Sequence, residues 1–216
     1  MSNEVLQFSV ADELHWDPKL DSGGIAVSAD DGAVTLRGTV GSFREKREAK
    51  KAAERVYGVT SVDNQLQVRI MSDARRDDAD VRGAVLQALM LDSLVPSTID
   101  ARVEDGYVTL TGTADWNYQR FEAEDVAANI VGVLDVTDEI ELTASPASAD
   151  DVKDSIKKAF KRNAKIDADD LSVETYDGTV VLGGTVDSWA EHDAAVAAAW
   201  AAPGVRSVDD NILVEY

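Results

Sequence analysis

Three oxygen-bearing side chains at one recurring place are the first candidates for chemistry. Asn64, Asp138 and Asp210 stand in alternating apolar runs, Val62-x-Asn64-x-Leu66-x-Val68, Val136-x-Asp138-x-Ile140-x-Leu142 and Val208-x-Asp210-x-Ile212-x-Val214. They share the parity of the apolar residues, so a buried one must find hydrogen-bond partners. Two uses fit that position. The side chain can bond loop backbone near the strand start, or its oxygens can join turn carbonyls in holding a weakly bound cation, for which oxygen ligands are suited. The histidines are only two, His15 and His192, with no histidine at the matching repeat positions and no metal-ligand spacing. No serine lies in a nucleophile-elbow context. Acid pairs such as Asp30-Asp31, Asp77-Asp78, Asp169-Asp170 and Asp209-Asp210 read as solvated turn and cap residues, and no EF-hand spacing appears. The expectation is a protein that is not an enzyme, with no catalytic residue, no cofactor and no metal site beyond the cation reading.

Two basic clusters oppose the overall charge. Arg44, Lys46, Arg47, Lys50, Lys51 and Arg55 decorate one helical pattern, and Lys153, Lys157, Lys158, Lys161, Arg162 and Lys165 another. They can pair with Glu45, Glu48, Glu54 and the acidic middle of the chain, or form docking patches for anionic headgroups or an acidic partner, where each contributes on the order of 1 kcal/mol at a charged bilayer. Phe43 and Trp189 share a repeat position at a helix start, and Trp116 with Tyr118 flanks the matching Asn117. Tucked in, such residues act as a hydrophobic staple. Exposed, they form apolar tips for a membrane interface.

These residues are positioned by a unit read three times. Asp31-Gly32-Ala33-Val34-Thr35-Leu36-Arg37-Gly38 returns around Asp105-Gly106 and Asp177-Gly178, at steps of 74 and 72 residues. Each unit opens on an apolar helical face spaced by four: Leu6, Val10, Leu14; Val81, Val85, Leu89; Val152, Ile156, Phe160. The first of these helices is expected to end before Pro18, with Asp80 and Ser148 to Asp151 as cap candidates for the other two. An alternating strand then meets the Asp-Gly pair, a strong hairpin signal. The second strand carries Gly38, Gly112 or Gly184, whose recurrence points to close approach of another backbone, most simply the next helix crossing the sheet. A second helix starts at Ser42 or Ser188 with Glu three residues on, a capping box. It buries Ala49, Ala52, Ala53, Val56, then Ala123, Val126, Ala127, Ile130, then Ala195, Ala198, Ala199, Ala202. Gly58, Gly132 and Gly204 are expected as its C′ residues. The last strand follows, so each unit reads α-β-β-α-β.

The predicted fold is α/β (α+β), three tandem small sandwich domains, each a three-stranded mixed sheet with two helices packed on it, at 1–70, 71–145 and 146–216. Units of this size bury only a small core. Cysteine is absent, which removes disulfides and thiolate chemistry. The net charge of −20 excludes general affinity for nucleic acid. It is uneven: residues 71–145 hold five basic against sixteen acidic side chains. The N-terminus shows neither a signal-peptide pattern nor a membrane span, so the expected compartment is the cytoplasm, or the periplasm where a leader has been removed.

The ordered pattern Asp-Gly-x-Val-x-Leu-x-Gly-x-Val, an Ala-rich helix, then Gly-Val-x-x-Val-x-Asn-x-Leu-x-Val resembles the BON domain of bacterial osmotically inducible and nodulation proteins, in three copies over essentially the whole chain. The resemblance implies a small α/β sandwich without enzymatic activity that binds phospholipid or another envelope surface in osmotic stress. Potassium binding, known for a cytoplasmic relative with a LysM module, is within the family's range. The chain departs from the family in two ways: many relatives carry an export signal, and the strand asparagine, kept as Asn64, becomes Asp138 and Asp210. Three functions follow as expectations: a lipid-surface module using the basic helices and aromatic tips, a cation-binding sensor using the strand oxygens, or a scaffold that assembles with itself or a protein partner.

Overall fold

The structure, a computed structural model, describes residues 1–70, 76–143 and 148–216. The expected connectors between units fall largely on 71–75 and 144–147, outside the described residues. Each unit has the expected order. The first runs α1 (Asn3–Trp16), β1 (Ile25–Asp30), β2 (Ala33–Val40), α2 (Phe43–Glu54) and β3 (Ser61–Val68); the second α3 (Asp78–Leu91), β4 (Asp100–Glu104), β5 (Tyr107–Ala114), α4 (Asn117–Ala128) and β6 (Asp135–Leu142). The third runs α5 (Ala149–Arg162), β7 (Leu171–Tyr176), β8 (Thr179–Val186), α6 (Trp189–Trp200) and β9 (Ser207–Val214). The fold is α+β, with three three-stranded sheets in the orders β1-β2-β3, β4-β5-β6 and β7-β8-β9. In the first and third, the hairpin pairs antiparallel and the last strand joins in parallel. A parallel neighbour requires a crossover, which α2 and α6 supply. By compactness the chain divides into residues 1–113 with 119–141, and residues 114–118 with 142–216.

The hairpins turn on Asp31-Gly32, Asp105-Gly106 and Asp177-Gly178, with positive φ at both residues of each pair. Those are the angles of a type I′ turn, which Asp-Gly accommodates at least cost. The cores are built as the periodicity requires: in the first unit Leu6, Val10 and Leu14 of α1 meet Val34 and Leu36 of β2 and Ala49, Ala52 and Ala53 of α2. In the third, Val152, Ile156 and Phe160 meet Val180, Leu182, Ala195 and Ala199. Alanine on the inner face lets the second helix lie close to the sheet.

Four local expectations are corrected. A side chain on Gly38, Gly112 or Gly184 would collide with the carbonyl oxygen of Gly24, Thr98 or Asp170, so the close approach comes from the chain entering the hairpin's first strand and not from a crossing helix. Gly58, Gly132 and Gly204 lie beyond the helix ends, in turns closed by Val59 N–H to the Val56 carbonyl, Val133 to Ile130 and Val205 to Ala202, and the valine after each glycine is buried. Asp77, not Asp80, caps α3, accepting the Asp80 N–H at 2.8 Å, while Ser148 makes no side-chain cap on α5. In the capping boxes, Ser42 and Ser188 accept from Glu45 and Glu191, but the glutamates reach back one residue further than the cap, to the N–H of Gly41 and Asp187.

Candidate functional site

The polar residue of the last strand does the same work in every unit. One oxygen accepts the backbone N–H two residues on: Leu66 to Asn64 at 3.2 Å, Ile140 to Asp138 at 2.8 Å, Ile212 to Asp210 at 3.1 Å. The other end ties the strand to the first turns of the second helix, eighteen residues earlier. There Asn64 Nδ2 donates to the Lys46 carbonyl at 2.7 Å, Arg120 Nε donates to Asp138 at 2.8 Å, and His192 Nε2 meets Asp210 Oδ2 at 2.8 Å. The constant eighteen-residue separation puts Lys46, Arg120 and His192 at one repeat position in the sequence; that all three bond to the strand residue became evident only from these contacts. A cation held by Asp138 or Asp210 would have to displace Arg120 or His192. Among the described residues no group of three or more His, Cys, Asp or Glu is arranged to hold a metal ion.

The two basic clusters have different surroundings. On α2, Arg47 pairs with Asp125 of α4 at 3.1 Å and reaches Glu124 at 4.0 Å, Lys50 pairs with Glu54, and Lys51 with Glu48. Arg55 bridges Glu13 and Asp17, each at 2.8 Å. Asp17 is buried, and its carboxyl is held below the ordinary aspartate value by the Lys19 backbone N–H and then by Arg55. Glu48 is lowered chiefly by the hydrogen bond from Lys19, whereas burial pushes Glu124 up against the pull of Arg47. Arg44 and Lys46 make no ion pair among the described residues.

On α5, Lys157, Lys158, Lys161 and Arg162 are exposed, Lys153 is half-buried, and none of the five has an ion-pair partner among the described residues; Lys165, just beyond the helix, is exposed as well. The reason is local. Val152, Ile156 and Phe160 take the whole inner face, so the lysines between them must point outward; Asp150 and Asp151 lie at the far end, in the first turn, and the exposed Asp154, one turn before Lys157 and Lys158, pairs with neither among the described residues. Beside Lys157 and Lys161, with Phe160, Ala168, Asp169 and Leu171, lies a cleft of about 210 Å³. Another, of about 610 Å³, lies among Gln67, Arg69, Arg76, Asp77, Asp78 and Asp105, where Asp77 caps α3 and Asp78 accepts the N–H groups of Asp105 and Gly106, so two of its carboxylates are already engaged by backbone.

The aromatic positions part company. Phe43 is buried at 7 % exposure and Trp189 is half-buried against the third core, while Trp116 at 40 % and Tyr118 at 52 % are exposed. Asn117, in the place of Phe43 and Trp189, is itself buried at 3 %, and its Nδ2 has no hydrogen-bond partner. Among the described residues no helix is long and apolar enough to cross a membrane.

Comparison with known proteins adds three findings. The family model for the BON domain matches residues 2–70, 77–144 and 148–216. The chain is similar to osmotically-inducible protein Y of Escherichia coli (strain K12), 34% identical over 126 residues, which are 56% of this chain and 63% of that protein. It thus spans somewhat under two thirds of that relative. It is also similar to an uncharacterized protein in the gshII 5′ region of Anaplasma centrale, 32% identical over 126 residues, 56% of this chain and 83% of that one. Among solved structures, CdsD, a structural protein of the type III secretion system of Chlamydia trachomatis, aligns at 15% identity over 98% of this chain and 92% of its own, with a TM-score of 0.28. Its C-terminal domain aligns at 16% identity over both full lengths, with the same TM-score of 0.28, too low for the likeness to bear on function.

Proposed function

The chain belongs to the BON domain family, in three successive copies related to osmotically inducible proteins, and from that premise we propose that it is a non-catalytic module of the osmotic or envelope stress response that docks on anionic phospholipid through α5. One observation carries this reading. In a chain of net charge −20, α5 gathers five cations that make no ion pair among the described residues, Asp154 and Asp169 nearby included, while most of the comparable cluster on α2 is tied into ion pairs within its own compact unit. A headgroup phosphate meeting α5 therefore gains full charge-assisted contacts, whereas one meeting α2 must first compete with Glu48, Glu54, Glu13 and Asp125. The cleft beside Lys157 and Lys161 offers room for part of a headgroup. The net charge of the chain opposes a negative bilayer, so binding by α5 orients the protein with that helix toward the membrane.

The test is co-sedimentation of the full chain with phosphatidylglycerol vesicles and with phosphatidylcholine vesicles at low and high potassium chloride. Binding to the anionic vesicles alone, weakened by salt and lost in the triple variant Lys157→Glu, Lys158→Glu, Lys161→Glu but kept in Lys50→Glu, Lys51→Glu, is the expected result. Equal behaviour of the two variants, or no binding to either vesicle, overturns the reading.

A further inference from the structure

The tether between the second helix and the last strand is chemically different in each repeat. In the first it is an amide on a backbone carbonyl, Asn64 to Lys46; in the second a guanidinium on a carboxylate, Arg120 to Asp138; in the third an imidazole on a carboxylate, His192 to Asp210. An amide and a guanidinium exchange no proton near neutral pH, whereas an imidazole does. We propose that the third repeat is a proton-responsive unit in which His192, set between Asp210 of β9 and Asp193 of α6, fastens the start of α6 to the last strand when protonated and loosens it as the medium turns alkaline.

The geometry carries the step. His192 Nε2 lies 2.8 Å from Asp210 Oδ2 and Nδ1 lies 3.2 Å from Asp193 Oδ1. Only the imidazolium donates to both carboxylates at once. A neutral ring keeps one bond and turns a lone pair toward the other carboxylate, whichever tautomer it adopts. The side chain is 12% exposed, with the Trp189 ring edge-on at 4.8 Å, so water compensates only part of that loss. Asp193 from α6 and Asp210 from β9 are the charged groups that act on the ring; the adjacent Glu191 is turned away, accepting the N–H groups of Asp167 and Asp187, and neither α5 nor β8, which also pack on α6, contributes a charge to it. In keeping with this, the hydrogen bond to Asp193 and then Asp210 hold the imidazole above its ordinary value, against the opposing effect of burial. Because the folded value is raised, the stabilisation is complete below the unfolded histidine value, near 6.5, and is lost as pH rises through the folded one. The inference does not depend on what α5 binds.

The test uses the full chain. In a His15→Gln background His192 is the sole histidine, and its ring protons are followed by NMR across pH; titration above the ordinary histidine value that falls in Asp210→Asn is expected. In parallel, amide exchange in α6, corrected for intrinsic rates, is compared between wild type and His192→Arg, which copies Arg120 of the second repeat. Protection in α6 is expected to fall several-fold in wild type from about pH 6 to about pH 8.5 and to stay level in the arginine variant. Titration at or below the ordinary value overturns the proposal, as do parallel exchange profiles in the two proteins. If His192→Arg fails to fold, the titration alone decides.

Discussion

Gly38, Gly112 and Gly184 stand where a carbonyl of the entering chain leaves no room for a side chain, and φ there is +128°, +118° and +116°. Substitution meets both a backbone it disfavours and an atom that cannot move without shifting the first strand. Gly38→Ala is therefore expected to lower the stability of the first unit by about 2–4 kcal/mol, read by urea denaturation. Asn117 presents the reverse situation: its buried Nδ2 lacks a partner at a position filled by Phe43 and Trp189 in the sister repeats, so Asn117→Leu is expected to raise the melting temperature, by about 1 kcal/mol of stability. Asp17 supplies a pH-dependent prediction. Its folded value is depressed, so its contribution is present above the ordinary value of 3.8 and is lost as pH falls through the folded one. The stability difference between wild type and Asp17→Asn is expected to be full at neutral pH and to close in acid melts. The positions of the strand glycines and of Asn117 were legible in the recurring sequence, but the role of Asp17, the carbonyl facing Gly38 and the missing partner of Asn117 were not, since each depends on a segment the local pattern does not name.

At the scale of elements, two helices of similar basic composition differ because of what faces them. The outer face of α2 meets Glu13 of α1, Asp17 just beyond it and Asp125 of α4, while the three acids of α5, Asp150, Asp151 and Asp154, make no ion pair with its basic residues among the described residues. Arg47→Ala removes the tie from α2 to α4 and leaves Arg120 as the remaining cation that opposes the burial of Glu124; a loss of about 1 kcal/mol in the first compact unit is expected by urea denaturation, with solvent screening of these half-exposed groups keeping it small. Lysine reversal on α5 has no such partner to lose among the described residues, so the triple variant offered for vesicle binding is expected to melt within a degree or so of wild type. Amphipathic spacing identified the outward face of both helices. It could not show that one face is ion-paired and the other open, because the partners come from elements up to about eighty residues away.

For the whole molecule, a net charge of −20 makes self-repulsion a general term, and salt acts on it and on docking with opposite signs. Added potassium chloride is expected to raise the melting temperature of the full chain while weakening its binding to phosphatidylglycerol vesicles; a fall in both would place the dominant salt effect in the internal ion pairs instead. What the sequence by itself determined is the threefold repeat, the α-β-β-α-β order, the Asp-Gly hairpins and the inward faces of the helices, because each is written in local propensity and in periods of two and 3.6 residues. Only the tertiary structure decided that Asp210 answers to His192 while Asp138 answers to Arg120, that Phe43 is buried while Trp116 is exposed, and that α5 is the open basic surface. The physical reason is the same in each case. Periodicity states which side of an element turns inward, but the energy and protonation of a side chain depend on the group that folding brings opposite to it.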